Sequence, residues 1–141
     1  MPTVREQLRN NVVALISLVV ALSSLSYNTW RNELTERNRN VRVAGFEVIK
    51  NIAELQRVVF FSHYDRDAAT GNPRNGWVYV LTIRDLAEIM PEPVTTQAAV
   101  LQKVWGENWE GLGNDRASLE RIESAIDAMR TATLNVLHGL S

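Results

Sequence analysis

Between Asn10 and Trp30 the chain carries no charged side chain, a run of 21 positions. At about 1.5 Å rise per residue, a helix of that length covers roughly the 30 Å hydrocarbon core of a bilayer. The most apolar part is Val12 to Leu22, followed by Ser23-Ser24-Leu25-Ser26-Tyr27. Tyr27 and Trp30 stand where an aromatic belt meets the far membrane surface, and Arg5 and Arg9 flank the near side. Two other readings compete. A cleaved signal peptide has the same basic, apolar and small-residue order, and a buried core helix has the same composition. The length and the basic flank count against the buried core helix, and a retained transmembrane helix is the expectation.

Orientation follows from the flanking cations. Arg5 and Arg9 precede the span, and Arg31, Arg37, Arg39 and Arg42 follow it, interleaved with Glu33 and Glu36. A strict count of cations places the C-terminal part inside. A signal anchor with a short basic N-terminus places it outside. We expect the exported, periplasmic placement, with the cytoplasmic one as the alternative. The absence of cysteine suits an oxidising compartment.

Within the span Ala14, Ser17, Ala21 and Ser24 recur at steps of three and four. Small side chains in such a stripe let a second helix backbone approach closely. They are the expected membrane-packing face, for an integral membrane partner or for self-association.

No proline interrupts the chain from Thr29 to Tyr64, and Gly45 is the sole glycine there. Trp30, Leu34, Val41, Ala44, Val48, Ile52, Leu55 and Val59 keep a helical period. The expectation is one helix that leaves the membrane and continues to about Tyr64, with Glu33 and Arg37 as an intrahelical ion pair. Continuing the small stripe by heptads reaches Asn28, two residues before Trp30, and two residues are about 200° of helix. The two stripes therefore lie on roughly opposite sides in this reading.

Asp65 to Gly76 reads as a loop. Trp77 to Met90 follows as an amphipathic helix with Trp77, Val80, Leu81, Leu86 and Ile89 on its apolar face. Pro91 and Pro93 end it. A third helix is expected from Thr95 to about Trp109, burying Ala98, Leu101, Val104 and Trp105. In the last helix, with Asn114 as N-cap, Leu119, Ile122, Ile126, Met129, Thr133, Val136 and Leu140 form an unbroken seam. The fold class is all-α: an N-terminal transmembrane helix (residues 1–29 with the tail) continuing into an antiparallel four-helix-bundle-like domain (30–141).

Chemistry is scarce in this pattern. Lys and Arg number 15 and Asp and Glu 16, a net charge of −1, so no basic surface points to nucleic acid. With no cysteine and two histidines, His63 and His138, thiolate zinc sites, c-type haem and cysteine nucleophiles drop out. Asp65-Arg66-Asp67 lacks the alternating ligands and closing Glu of a calcium loop. Neither histidine follows a Glu by three residues, as a di-iron bundle requires. His63 reads as a helix-end histidine held by a carbonyl or water. Gly111-Leu112-Gly113-Asn114 follows no strand and precedes Asp115, which argues against phosphate. No cofactor, metal or catalytic residue is expected. Trp77, Trp105 and Trp109 fit core packing; with Trp30 they also form a possible partner surface, because exposed tryptophans make binding anchors.

Tyr27-Asn28-Thr29-Trp30-Arg31-Asn32-Glu33, Thr35-Glu36, Asn38-Arg39-Asn40-Val41-Arg42, Ala44-Gly45-Phe46-Glu47 and Glu54-Leu55-Gln56 carry a resemblance over residues 12 to 65. The chain is similar to a group of short bacterial proteins with one N-terminal span and a helical C-terminal part. The resemblance implies placement in a bacterial membrane and nothing catalytic; the inner membrane is the expected one. We expect a non-enzymatic, single-pass accessory or scaffold subunit that contacts the lipid bilayer and a membrane partner. The alternative is a membrane-anchored ligand-sensing bundle, with a pocket lined by Trp77, Trp105 and an arginine such as Arg84. Because the chain ends at Ser141 without a second span, it would signal through a partner.

Overall fold

The computed structural model describes residue 7, residues 11–65 and residues 69–140. Arg5, Arg9, Arg66, Asp67 and Ser141 lie outside the described residues. Among those described every regular element is helical. Helix α1 (Val12–Phe60) passes into a π-helical turn (Phe61–Asp65). Then come α2 (Pro73–Ala87), α3 (Val94–Asn108), a short 3-10 turn (Trp109–Gly111) and α4 (Arg116–Gly139). The chain divides into two compact units, Met1–Asn38 and Arg39–Ser141. Loss of apolarity alone drew the division at residues 29 and 30.

In the first unit α1 is exposed from Val12 to Arg37. Three of its hydroxyl side chains, those of Ser17, Thr29 and Thr35, turn back onto their own helix. Ser17 Oγ donates to the Val13 carbonyl at 2.8 Å, and Thr29 Oγ1 to that of Leu25 at 3.0 Å. Thr35 Oγ1 bonds the Arg31 carbonyl at 2.9 Å. These three donors are thereby satisfied without water, the condition that an apolar medium imposes.

The second unit holds the core. On α1 Val41, Ala44, Gly45, Val48, Ile52, Leu55 and Val59 are buried at steps of one, three and four. Val41 to Val59 thus pack as their period foretold. Trp30 and Leu34, assigned to the same stripe, are exposed instead. At Gly45 an added Cβ would lie 2.7 Å from Leu137 Cδ2, so the Leu137 side chain of α4 packs against α1 there. Arg42 Nη2 donates to the Leu140 carbonyl at 3.1 Å, and Arg130 Nη2 donates to Gln56 Oε1. Residue numbers therefore rise along α1 as their contacts fall along α4.

Helix α2 starts earlier than its apolar pattern indicates. Asn72 caps it by accepting from Arg74 N at 3.0 Å, and Pro73 supplies the first turn, where its missing N–H costs nothing. Its buried face is Gly76, Val80, Ile83 and Ala87. Leu81 and Ile89, expected inside, are exposed, and Trp77 and Leu86 are half-buried. Thr95 Oγ1 lies 3.2 Å from the carbonyls of both Ala87 and Met90, tying the end of α2 to the start of α3. Helix α3 packs on α2 and on α4. It buries Ala98, Leu101 and Trp105 as expected, with Val94 and Asn108 in addition; Val104 is half-buried.

The N-cap of α4 is Asp115, one residue beyond the expected Asn114. Its carboxylate accepts from Ala117 N at 3.2 Å and Ser118 N at 2.9 Å. Asn114 N and Asp115 N both donate to the Gly111 carbonyl, at 3.0 and 2.7 Å, in the turn that precedes the helix. Along α4, Leu119, Ile122, Ile126, Met129 and Thr133 are buried, and Val136 and Leu140 half-buried.

Candidate interaction surfaces

The first candidate surface is the charge-free part of α1, a helix long and apolar enough to cross a membrane. None of its most apolar window is buried within the protein. Val13, Ile16, Leu18, Val19, Val20 and Leu22 all present their side chains outward. A soluble surface seldom carries so large a contiguous apolar area. At its far end the rings of Tyr27 and Trp30 lie 6.1 Å apart, tilted by 48°, and both are exposed. An aromatic pair next to Arg31 matches the composition that partitions to a membrane–water interface.

Ala14, Ser17, Ala21 and Ser24 are all exposed. Ser17 is narrower than its composition implies, because its hydroxyl is folded onto the Val13 carbonyl. All four side chains are small, so the stripe is a shallow strip on the helix surface.

The four tryptophans separate. Trp30 is exposed, and Trp77 and Trp109 are half-buried. Trp105 is fully buried, which removes it from any partner surface of the folded chain. Its ring occupies the space beside Gly76, where a Cβ would lie 2.0 Å from Cζ2. Its Nε1 has no hydrogen-bond partner in the protein. Core packing, the commoner fate of such a residue, is the one realised here.

A groove of about 590 Å³ runs between α3 and α4, over Val100, Val104, Ala117, Ala125 and Ala128. Glu107, Asn108, Glu120, Arg121 and Ser124 also line it, and of these Asn108 is buried. Asn108 Nδ2 donates to the Val104 carbonyl at 2.7 Å, and its Oδ1 accepts from Arg121 Nη1 at 3.2 Å. This groove is not the one expected around Trp77, Trp105 and Arg84. Arg84 instead bonds its neighbour Asp85 at 2.9 Å, and the Trp105 ring is closed off from solvent. No motif pointed to the Asn108–Arg121 pair; thirteen residues and a turn separate the two.

His63 Nδ1 lies 3.0 Å from the Leu112 carbonyl. A carbonyl only accepts, so Nδ1 carries the proton, and the imidazole ties the end of α1 to the turn before α4. This is the carbonyl-bound helix-end histidine that its sequence position indicated. Among the described residues no group of three or more His, Asp and Glu side chains stands close enough to hold a metal ion. The α1 ion pairs are Lys50–Glu47 at 3.5 Å and Arg57–Glu54 at 3.7 Å, rather than Glu33–Arg37. The Asp115 carboxyl is held below the usual carboxylate range, chiefly by the Ser118 hydroxyl and then by the Ser118 and Ala117 backbone N–H groups.

Comparison with protein-family models, with curated proteins and with solved structures finds no match to this chain.

Proposed function

We propose that the chain is a non-catalytic, single-pass membrane protein, an accessory or scaffold subunit of a membrane assembly. The observation that carries this reading is the outward-facing apolar part of α1, with the Ser17 and Thr29 hydroxyls bonded to their own helix and an aromatic pair at its end. The span contributes an anchor and, through Ala14, Ser17, Ala21 and Ser24, a strip shaped for another membrane helix. The helical unit that follows acts as an antiparallel four-helix bundle. The opposed numbering of the α1–α4 contacts supports this arrangement. Placement in a bacterial inner membrane, with the bundle in the periplasm, rests on the resemblance of residues 12 to 65 and on the signal-anchor pattern.

Alkaline carbonate treatment of native membranes tests the anchor, and a cysteine scan across residues 12–30 tests the strip. The chain is expected to stay in the membrane pellet, and cysteines at the four strip positions to crosslink to a partner helix. Equal reaction all round the helix contradicts the strip; release by carbonate contradicts the anchor.

A second reading, ligand sensing by the bundle, draws on the α3–α4 groove and its Asn108–Arg121 pair. It requires that a ligand protect Arg121 from guanidine-directed labelling in the intact protein.

A further inference from the structure

The groove between α3 and α4 is graded along its length. At one end Asn108 of α3 meets Arg121 of α4. Val104 and Val100 line it one and two turns back from Asn108, and Ala125 and Ala128 one and two turns on from Arg121. Both helices thus lead from a charged end to an apolar one. The small side chains of α4 are what leave the apolar end open.

The charges of the lining do not cancel within the groove. Glu107 and Glu120 line it, but each has a cation outside it: Lys103 Nζ lies 4.0 Å from Glu107 and Arg116 Nε 2.9 Å from Glu120. Among the described residues Arg121 forms no ion pair. Asp115 feels its charge, but the Asp115 oxygens are taken by the Ala117 and Ser118 N–H groups and the Ser118 hydroxyl. The hydrogen-bond partner of Arg121 is the neutral amide oxygen of Asn108. Asn108 is 5% exposed, and its Nδ2 is fixed on the Val104 carbonyl. A buried amide therefore aims the guanidinium through one nitrogen and leaves further N–H donors of the fork for an anion.

We propose that this groove binds an aliphatic carboxylate, its carboxylate on Arg121 and its chain along Val104, Val100, Ala125 and Ala128. The proposal rests on the ligand-sensing reading above and names the class of ligand. The planar fork of Arg121 matches a carboxylate in two parallel hydrogen bonds. Its one uncompensated positive charge matches a single negative one, whereas the second charge of a phosphate would face Glu107 and Glu120. From Arg121 to Ala128 is seven residues, about 10 Å along the helix. A zigzag chain of about eight carbons, with C–C bonds of about 1.5 Å, has that reach.

The test uses the full chain in native membranes and a guanidine-directed reagent, with labelling at each arginine read by peptide mass spectrometry. Octanoate, acetate, octanol and octylammonium are added in turn. Arg116, on the same helix but outside the groove, is the internal reference for effects on the membrane surface at large. Octanoate is expected to protect Arg121 at a concentration at least tenfold below that of acetate, because the groove covers part of its chain. Arg116 is expected to be unaffected, and octanol and octylammonium to leave Arg121 reactive. Ala128→Trp and Val100→Glu alter exposed positions on the two walls of the apolar end. Each is expected to reduce octanoate to the level of acetate. The proposal is overturned by equal protection from acetate and octanoate, by equal protection of Arg116, or by octanoate protection that both variants leave unchanged. Protection by octanol or octylammonium instead keeps the groove as a ligand site and removes the carboxylate. No protection by any of the four removes the ligand-sensing reading with it.

Discussion

Gly76 carries no side chain where the six-membered ring of Trp105 fills the space a Cβ would take. The contact joins α2 to α3, and the ring cannot move aside, because Trp105 is enclosed. Gly76→Ala is therefore expected to lower unfolding stability by about 1–3 kcal/mol or more, although alanine is the better helix former. Urea unfolding of the extracted protein measures it. Asp115 makes a different kind of contribution. Its folded-state pKa is lowered, first by the Ser118 hydroxyl. A carboxylate of that kind stabilises the fold above its unfolded pKa, about 3.9, and the contribution is lost as pH falls through the folded value. Asp115→Ala is expected to destabilise at neutral pH, and its deficit to shrink towards the acid end. Asp115→Asn keeps a capping oxygen and removes the pH dependence. Parallel pH series of thermal unfolding on the three proteins give both answers.

At the scale of the element, α4 was the most legible and α2 the least. The α4 seam has large apolar residues at nearly every buried position, so periodicity alone located it. The buried face of α2 includes Gly76 and Ala87, whose small side chains carry no hydrophobic signal and which are inside because Trp105 and other neighbours come to them. The larger Trp77 and Leu81 drew the expected face to the wrong side. The start of α2 had a legible signal, Asn72 before Pro73, that the surrounding loop composition masked. On α1 the period of Trp30 and Leu34 was real but did not say what would cover them. The Asn108–Arg121 pair had no signal, because it exists only once α3 and α4 pack. Two outcomes follow for the elements. Ile126→Ala, in the middle of the α4 seam, is expected to cost about 2–5 kcal/mol in the same urea experiment. Leu18→Arg, in the middle of the charge-free run, is expected to cost about 2.5–3.5 kcal/mol of insertion and to move part of the chain out of the membrane pellet. Quantitative blotting of pellet and supernatant reads that shift.

Taken as a whole, the molecule combines a helix whose apolar surface finds no cover in its own fold with a helical unit that has a well-packed core. The near-neutral charge of the full chain conceals that division: its cations and carboxylates are confined to the sequence outside residues 10–30. A second unit of about one hundred residues is small enough for a partner to add materially to its stability. The small-residue strip offers a place for one. The account therefore stands or falls on whether the chain exists as part of a larger particle in the membrane. The direct measurement is the native mass of the full chain after extraction from its own membranes in mild detergent. A particle heavier than one 15.9 kDa chain with its detergent, containing a second copy or another membrane protein, is the expected result. A strictly monomeric particle across several mild detergents, or a chain recovered in the soluble fraction before any detergent is added, contradicts it.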